Sequence, residues 1–254
     1  MLMANGCGMR YTKCTMPEFD NETYDLPSDE MNNNKLNKLR AAVLGANDGI
    51  VSTSSVVMGV AGASNDSRAI AIAGLAALVA GALSMAVGEY VSVSSQSDAE
   101  KVYIKEEKKD LHEMPDYELD ELAREYMKHG VSEKTARKVA FELTQKDPLR
   151  AHLRMHFNLD PDDINSPIAA AIASMAAFTA GGLIPFLTIV LAPAQWRIAA
   201  TLAAVVAALF IVGFASAHAA RAHRGRAVAR VVIGGVLAMV ITYGIGVLFG
   251  TSVA

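Results

Sequence analysis

Two carboxylates stand where a charge is costly. Asp48 and Glu89 are the only charged side chains within five apolar windows, 41–63, 69–93, 168–192, 198–217 and 231–250. An ionised Asp at the bilayer centre costs about 2.5–3.5 kcal/mol on insertion scales. Asn47 flanks Asp48, and Ser52, Thr53, Ser54 and Ser55 follow it, a polar stripe that calls for a partner helix or a water-filled path. No Lys or Arg lies in the windows to form a structural ion pair with it. Glu89 lies near the end of the second window, and Met85, four residues earlier, shares its helical face. A lone Met in such a helix is ordinarily core packing. Between two intramembrane carboxylates it becomes a ligand candidate, because a thioether beside oxygen ligands favours a transition metal such as Fe²⁺ over Mg²⁺ or Ca²⁺.

A second set lies between the second and third windows. Segment 94–160 carries 15 acidic residues, 12 basic residues and four of the six histidines. Glu100, Glu107 and Met114 recur at i, i+7, i+14, and Glu106, Asp110 and Glu113 at i, i+4, i+7. A helix here therefore presents a dense carboxylate face. Lys101, Lys105, Lys108 and Lys109 supply the alternative, ordinary i,i+4 pairs on a solvated helix. Spacing alone leaves both open. His152 and His156 have the i,i+4 spacing of a two-histidine metal site, with Met155 between them, yet no third ligand lies in sequence reach. Cys7 and Cys14 sit in a polar N-terminal segment and read as incidental thiols.

The elements that position these residues follow from the charge pattern. Only 19% of the chain is charged, and the charges are segregated outside the windows. Each window reaches the roughly 20 residues needed to cross the hydrocarbon core as a helix. This excludes a soluble enzyme, a disulfide scaffold and a disordered chain. The expected fold is an all-α polytopic membrane protein, with five transmembrane helices and a helical cytosolic insert between helices 2 and 3. Residues 1–34 read as a disordered cytosolic tail without a signal peptide, 35–93 as helices 1 and 2, 94–160 as a metal-binding insert and 161–254 as helices 3 to 5. Pro115, Gly130 and Pro148 divide the insert into helices near 94–113, 116–129, 132–145 and 148–157. Lys35, Lys38, Arg40, Arg221, Arg224, Arg226 and Arg230 fall on one side, against Arg68 and Arg197 on the other. The positive-inside rule then puts the N-terminus in the cytosol and the C-terminus opposite. Gly45-xxx-Gly49 and Gly246-xxx-Gly250 are spacings for close helix approach, and the first makes helix 1 a candidate dimer seam.

The stretches GANDGIVS at 45–52, ALSMAVGEYVSVSSQ at 82–96 and GGLIP at 181–185 resemble signatures of the vacuolar iron transporter family, bacterial-type members included. The resemblance runs from about residue 36 to the C-terminus. It also covers the order of two helices, an acidic insert and three helices. It implies a homodimer through helices 1 and 2 that moves Fe²⁺, and also Mn²⁺, out of the cytosol in exchange for protons. The host would be a bacterial plasma membrane or a vacuole-type organelle membrane. By the resemblance Asp48 and Met85 correspond to pathway ligands, and Glu89 falls in the same motif. Glu107 and Asp110 fit the first insert helix, and Glu100 fits the bacterial variant; Glu106 stays a metal-ligand candidate from its spacing. The chain departs from the family at the last insert helix, which typically carries glutamates around a Phe-Glu-Leu stretch. Here it reads Met155, His156, Phe157, Asn158, Leu159. Either the cytosolic site is weaker, or Met155 and the histidines change its metal preference.

A mechanism follows from competition. A carboxyl group must lose its proton to ligate a metal, so metal binding releases protons and protonation expels metal. An antiporter needs little more, if each carboxyl faces the two sides alternately. The alternative is a membrane-tethered metal-binding or sensing protein that carries no flux. A ferritin-like oxidase needs paired Glu-x-x-His motifs, which the insert lacks, and there is no Walker motif. The chain reads as no enzyme and as no nucleic-acid binder.

Overall fold

The computed structural model describes residues 33–161, 166–219 and 223–253. They form eight helices: α1 Asn33–Ala63, α2 Ser67–Glu113, α3 Pro115–Lys128, α4 Glu133–Lys146, α5 Pro148–Phe157, α6 Pro167–Leu191, α7 Arg197–Ala219 and α8 Arg224–Val253. There is no strand among the described residues. Five helices, α1, α2, α6, α7 and α8, are long and apolar enough to cross a membrane. The tail expected to be disordered lies outside the described residues, apart from Asn33 and Asn34, which open α1; Cys7 and Cys14 lie outside them too.

Local chemistry sets the helix boundaries. Asp66 accepts a hydrogen bond from the Arg68 N–H at the start of α2, Asp147 does the same from Arg150 at α5, and Ser166 from Ala169 at α6. Prolines at 115, 148 and 167 occupy first-turn positions, where a missing N–H costs nothing. The helices expected in the insert appear as the distal half of α2 and as α3, α4 and α5. Leu122, Ala123 and Ala140 are buried at their centre, with Tyr126 and Leu143 against them. Chain direction places the starts of α1, α6 and α8 and the end of α7 at the insert-bearing end of the bundle.

Helix α1 is the hub of the membrane bundle, touching α2, α6, α7 and α8. Its Ile50, Val57 and Met58 are buried with Ile70, Ile189, Val205, Leu209 and Met239. Leu75, Leu83, Ile172, Ile211 and Phe249 point outward, as lipid-facing side chains do. At two crossings the backbones touch. A Cβ on Gly49 would land on the Phe178 carbonyl of α6, and one on Gly246 would land on the Gly59 carbonyl of α1. The Gly45-xxx-Gly49 face is therefore filled by α6 of the same chain and cannot serve as the dimer seam that its spacing suggested. The GGLIP stretch belongs to the same crossing: Gly181 meets the backbone of Ala46, and Gly182 meets Thr53 and Leu78.

Overpacking a tight crossing typically costs about 1–3 kcal/mol. Gly49→Ala is therefore expected to lower the thermal stability of the detergent-purified protein clearly. Gly88→Ala, where an added Cβ meets nothing within 4 Å, is expected to leave it unchanged or raise it slightly. Melting curves of the two variants check this.

Candidate metal centre

Three helices of the insert bring three ligand-type side chains together: Glu107 from distal α2, Glu118 from the first turn of α3 and His152 from α5. The His152 Nδ1 lies 2.9 Å from Glu107 Oε1 and 3.4 Å from Glu118 Oε2. One ligand atom from each residue lies within 4.8 Å of the others. His152 is fully buried, and the two carboxylates are nearly so. Both ring nitrogens of His152 and the Glu107 Oε1 lack a hydrogen-bond partner of proper geometry among the described residues. Buried polar atoms are rarely left so. Two carboxylates and an imidazole make a donor set suited to a divalent transition metal.

The local folding is direct. Helix α2 ends at Met114, and Pro115 restarts the chain at once as α3, which returns Glu118 toward Glu107. The Asp147 cap and Pro148 launch α5, which packs against α2 and α4. The Tyr103 ring of α2 stacks on Phe157 of α5 with centroids 4.6 Å apart. That contact holds α5 against α2 one turn from Glu107.

Electrostatically the cluster repels itself. Burial, then the Glu107 charge and then Glu121, hold the Glu118 carboxyl above the ordinary value of 4.5, while His152 pulls the other way. Asp110 adds a smaller upward push. A divalent cation reverses this balance, because it replaces like-charge repulsion with attraction.

The residues expected from the sequence divide. Glu107 joins the cluster. Asp110 is half-buried and acts on Glu118 through its charge, while Glu106 is exposed on another face. Glu100 is buried and accepts a hydrogen bond from Gln96 Nε2 at 2.8 Å. Met155 packs on the Leu122–Ala140 core, and the His156 ring centroid lies 5.5 Å from that of His152. Spacing failed to identify Glu118 and did not join His152 to Glu107. A signal was present: Glu118 lies four residues before Leu122, on the buried face of α3, where a carboxylate is anomalous.

In the membrane bundle, Asp48 and Glu89 are half-buried. Ser52 Oγ donates to Asp48 Oδ1 at 2.6 Å. Among the described residues no Lys, Arg or His pairs with either carboxylate. Met85 packs near Leu78, Ala82 and Phe178. The polar stripe of α1 divides: Thr53 is fully buried toward α6, and Ser54 Oγ donates to the Val51 carbonyl at 3.0 Å. Helix α2 links membrane and insert. Glu89 and Glu107 are 18 residues apart, about five turns of an ideal helix, and so lie on one face. Ala82 and Glu100 have the same relation, so the stripe that buries Leu78 and Ala82 continues as Met85, Glu89, Glu100 and Glu107.

The raised Glu118 value gives a stability test. In metal-free protein the folded state holds this proton more tightly than the unfolded chain, so Glu118 opposes folding at neutral pH. That penalty fades as pH falls through the folded value toward 4.5. Glu118→Gln is expected to raise the melting temperature of chelator-treated protein at neutral pH. The gap should close as the pH is lowered. Melting curves of both proteins across pH check it; a gap that widens on acidification would contradict the assignment.

Comparison with known proteins adds a second line. The chain matches the VIT family over residues 39–247. It is 42% identical over 214 residues to the vacuolar iron transporter of Acanthamoeba castellanii, covering 84% of this chain and 79% of that protein. It is 35% identical over 213 residues to vacuolar iron transporter homolog 2 of Arabidopsis thaliana, covering 84% of each. It is 37% identical over 219 residues to vacuolar iron transporter homolog 5 of Oryza sativa subsp. japonica, covering 86% of this chain and 83% of that protein. Matched over most of its length, the chain belongs to the VIT family.

Proposed function

We propose that this protein is a proton-coupled transporter that moves Fe²⁺, and Mn²⁺ as a second substrate, out of the cytosol. The observation that carries the reading is the pair of membrane carboxylates, Asp48 and Glu89, half-buried with no Lys, Arg or His paired to them among the described residues. A protein that only tethers a metal sensor has no use for them, and their cost must be offset by function. The relatives named vacuolar iron transporter supply the metal.

In this reading Glu107, Glu118 and His152 collect metal at the insert. Glu100, Glu89 and Met85, on the same face of α2, pass it toward Asp48. Metal and proton compete at each carboxylate, because ligation requires the ionised form. A proton entering from the far side therefore releases metal there. The excess of basic residues on the insert-bearing side supports a cytosolic insert and N-terminus, with the C-terminus opposite. A homodimer through α1 and α2 would line the path from both protomers. With the Gly45–Gly49 face filled by α6, the exposed apolar face of α2 with Ile72, Leu75 and Val79 would carry that contact.

Proteoliposomes with an acidic interior test this, using Fe²⁺ under anaerobic conditions and Mn²⁺ in parallel. Uptake driven by the pH gradient is expected in the wild type, and Asp48→Ala is expected to abolish it. His152→Ala is expected to raise the half-saturating metal concentration at least about tenfold, the lower end of what losing even a supporting hydrogen bond around a metal costs. Its uptake at saturating metal should survive. Tight metal binding with no flux at any gradient would establish the tethered sensor instead.

A further inference from the structure

Helices α1, α7 and α8 line a half-open cavity of about 450 Å³ that the transport reading does not use. It lies at the insert-bearing end of the bundle. Arg40, at the start of the α1 span, and Arg230, in the second turn of α8, line it together. The walls are Val43, Leu44, Val212 and Val231. Neither arginine has an ion-pair or hydrogen-bond partner among the described residues. Arg230 also lines an adjoining recess with Arg226 and His223, so the positive charge continues along α8. Deeper in, Asn47 lies on the same cavity, seven residues and so about 10 Å along α1 from Arg40. Its Oδ1 is buried with no hydrogen-bond partner.

We propose that this cavity is a binding site for one anionic phospholipid of the adjacent leaflet. The parts match the amphiphile in order of depth. Two guanidiniums at the mouth suit a phosphodiester, which they can hold by charge-assisted hydrogen bonds. The Asn47 amide lies below them, on the side where glycerol esters and the first methylenes would follow, and a half-turn of its side chain presents either its NH₂ or its oxygen there. The valine and leucine walls take the first part of an acyl chain. Basic pockets between membrane helices are where anionic headgroups bind. A free anion would use the arginines and leave the apolar slot without purpose; a neutral lipid would leave the paired arginines uncompensated. Because α1 carries Asp48 next to Asn47, a lipid seated here would brace the helix that bears the pathway carboxylate.

The probe is the full chain in nanodiscs of phosphatidylcholine alone or of an equimolar mixture with phosphatidylglycerol, with inorganic phosphate as a third arm. Native mass spectrometry of wild type from the mixture is expected to show phosphatidylglycerol enriched roughly fivefold or more over phosphatidylcholine, about what one arginine near an anionic headgroup carries. The mixture is expected to raise the melting temperature over phosphatidylcholine alone. The shift should be lost in the Arg40→Gln/Arg230→Gln double variant. It should also be lost in Val212→Trp, which fills the slot and leaves both arginines. Equal retention of the two lipids by wild type would overturn the proposal without any variant. A full shift in Val212→Trp would reduce it to general attraction of anionic lipid to a basic surface. A shift reproduced by inorganic phosphate would make the ligand a free anion.

Discussion

Helix α2 runs without a break from Ser67 to Glu113, and that continuity is the constraint on which the rest of the structure depends. In lipid every backbone group must be paired within the segment, so the first half of α2 has to be helical. Nothing in the sequence stops it at the membrane surface: no Pro or Gly lies between Glu89 and Glu113. The helix therefore carries its register from bilayer into water, about 70 Å in all at 1.5 Å per residue over its 47 residues. A side chain at position 89 and one at 107 are fixed on the same face by that register alone. Had the helix broken at residue 94, the insert would be a separate domain with no set relation to Met85 and Glu89.

Around that rod the bundle resolves two conflicting demands. Polar and charged groups must sit inside a membrane, yet the helices bearing them must be held firmly. Backbone contact does the holding. Gly49 against Phe178 of α6, and Gly246 against Gly59 of α1, bring helices together where side chains would keep them apart. With α1 fixed between α6 and α8, its polar positions are directed by geometry. Asn47 points to the cavity shared with α7 and α8, Thr53 points toward α6, and Asp48 stays half-buried with Ser52 as its donor. The carboxylate remains available because no cation stands beside it among the described residues.

The fold was largely legible. Apolar runs of membrane length have one answer as a helix, and Pro115 and Pro148, set in polar stretches, stand at helix starts, whereas Pro185 within an apolar run lies inside α6. The site was legible in part, for a reason of distance. Glu107 stood out through its repeat with Glu100 on one helix. Glu118 and His152 lie on two other helices, 11 and 45 residues further along the chain, so no single-helix periodicity links them to it. Glycine spacing misled in one respect. Gly45-xxx-Gly49 shows correctly that a backbone approaches, but not whose, and the neighbour is α6 of the same chain. The pairing of Arg40 with Arg230 was hidden likewise, because only the crossing of α1 with α8 brings them to one cavity.

The central claim is that Glu107, Glu118 and His152 act as one metal site although they come from three helices. Pulsed electron paramagnetic resonance on the full chain loaded with one equivalent of Mn²⁺ tests it most directly. Modulation from a single directly bound imidazole nitrogen is expected in the wild type, lost in His152→Gln and retained in His156→Gln and His112→Gln. Nitrogen modulation that survives in His152→Gln, or that is absent from the wild type, would contradict the assignment.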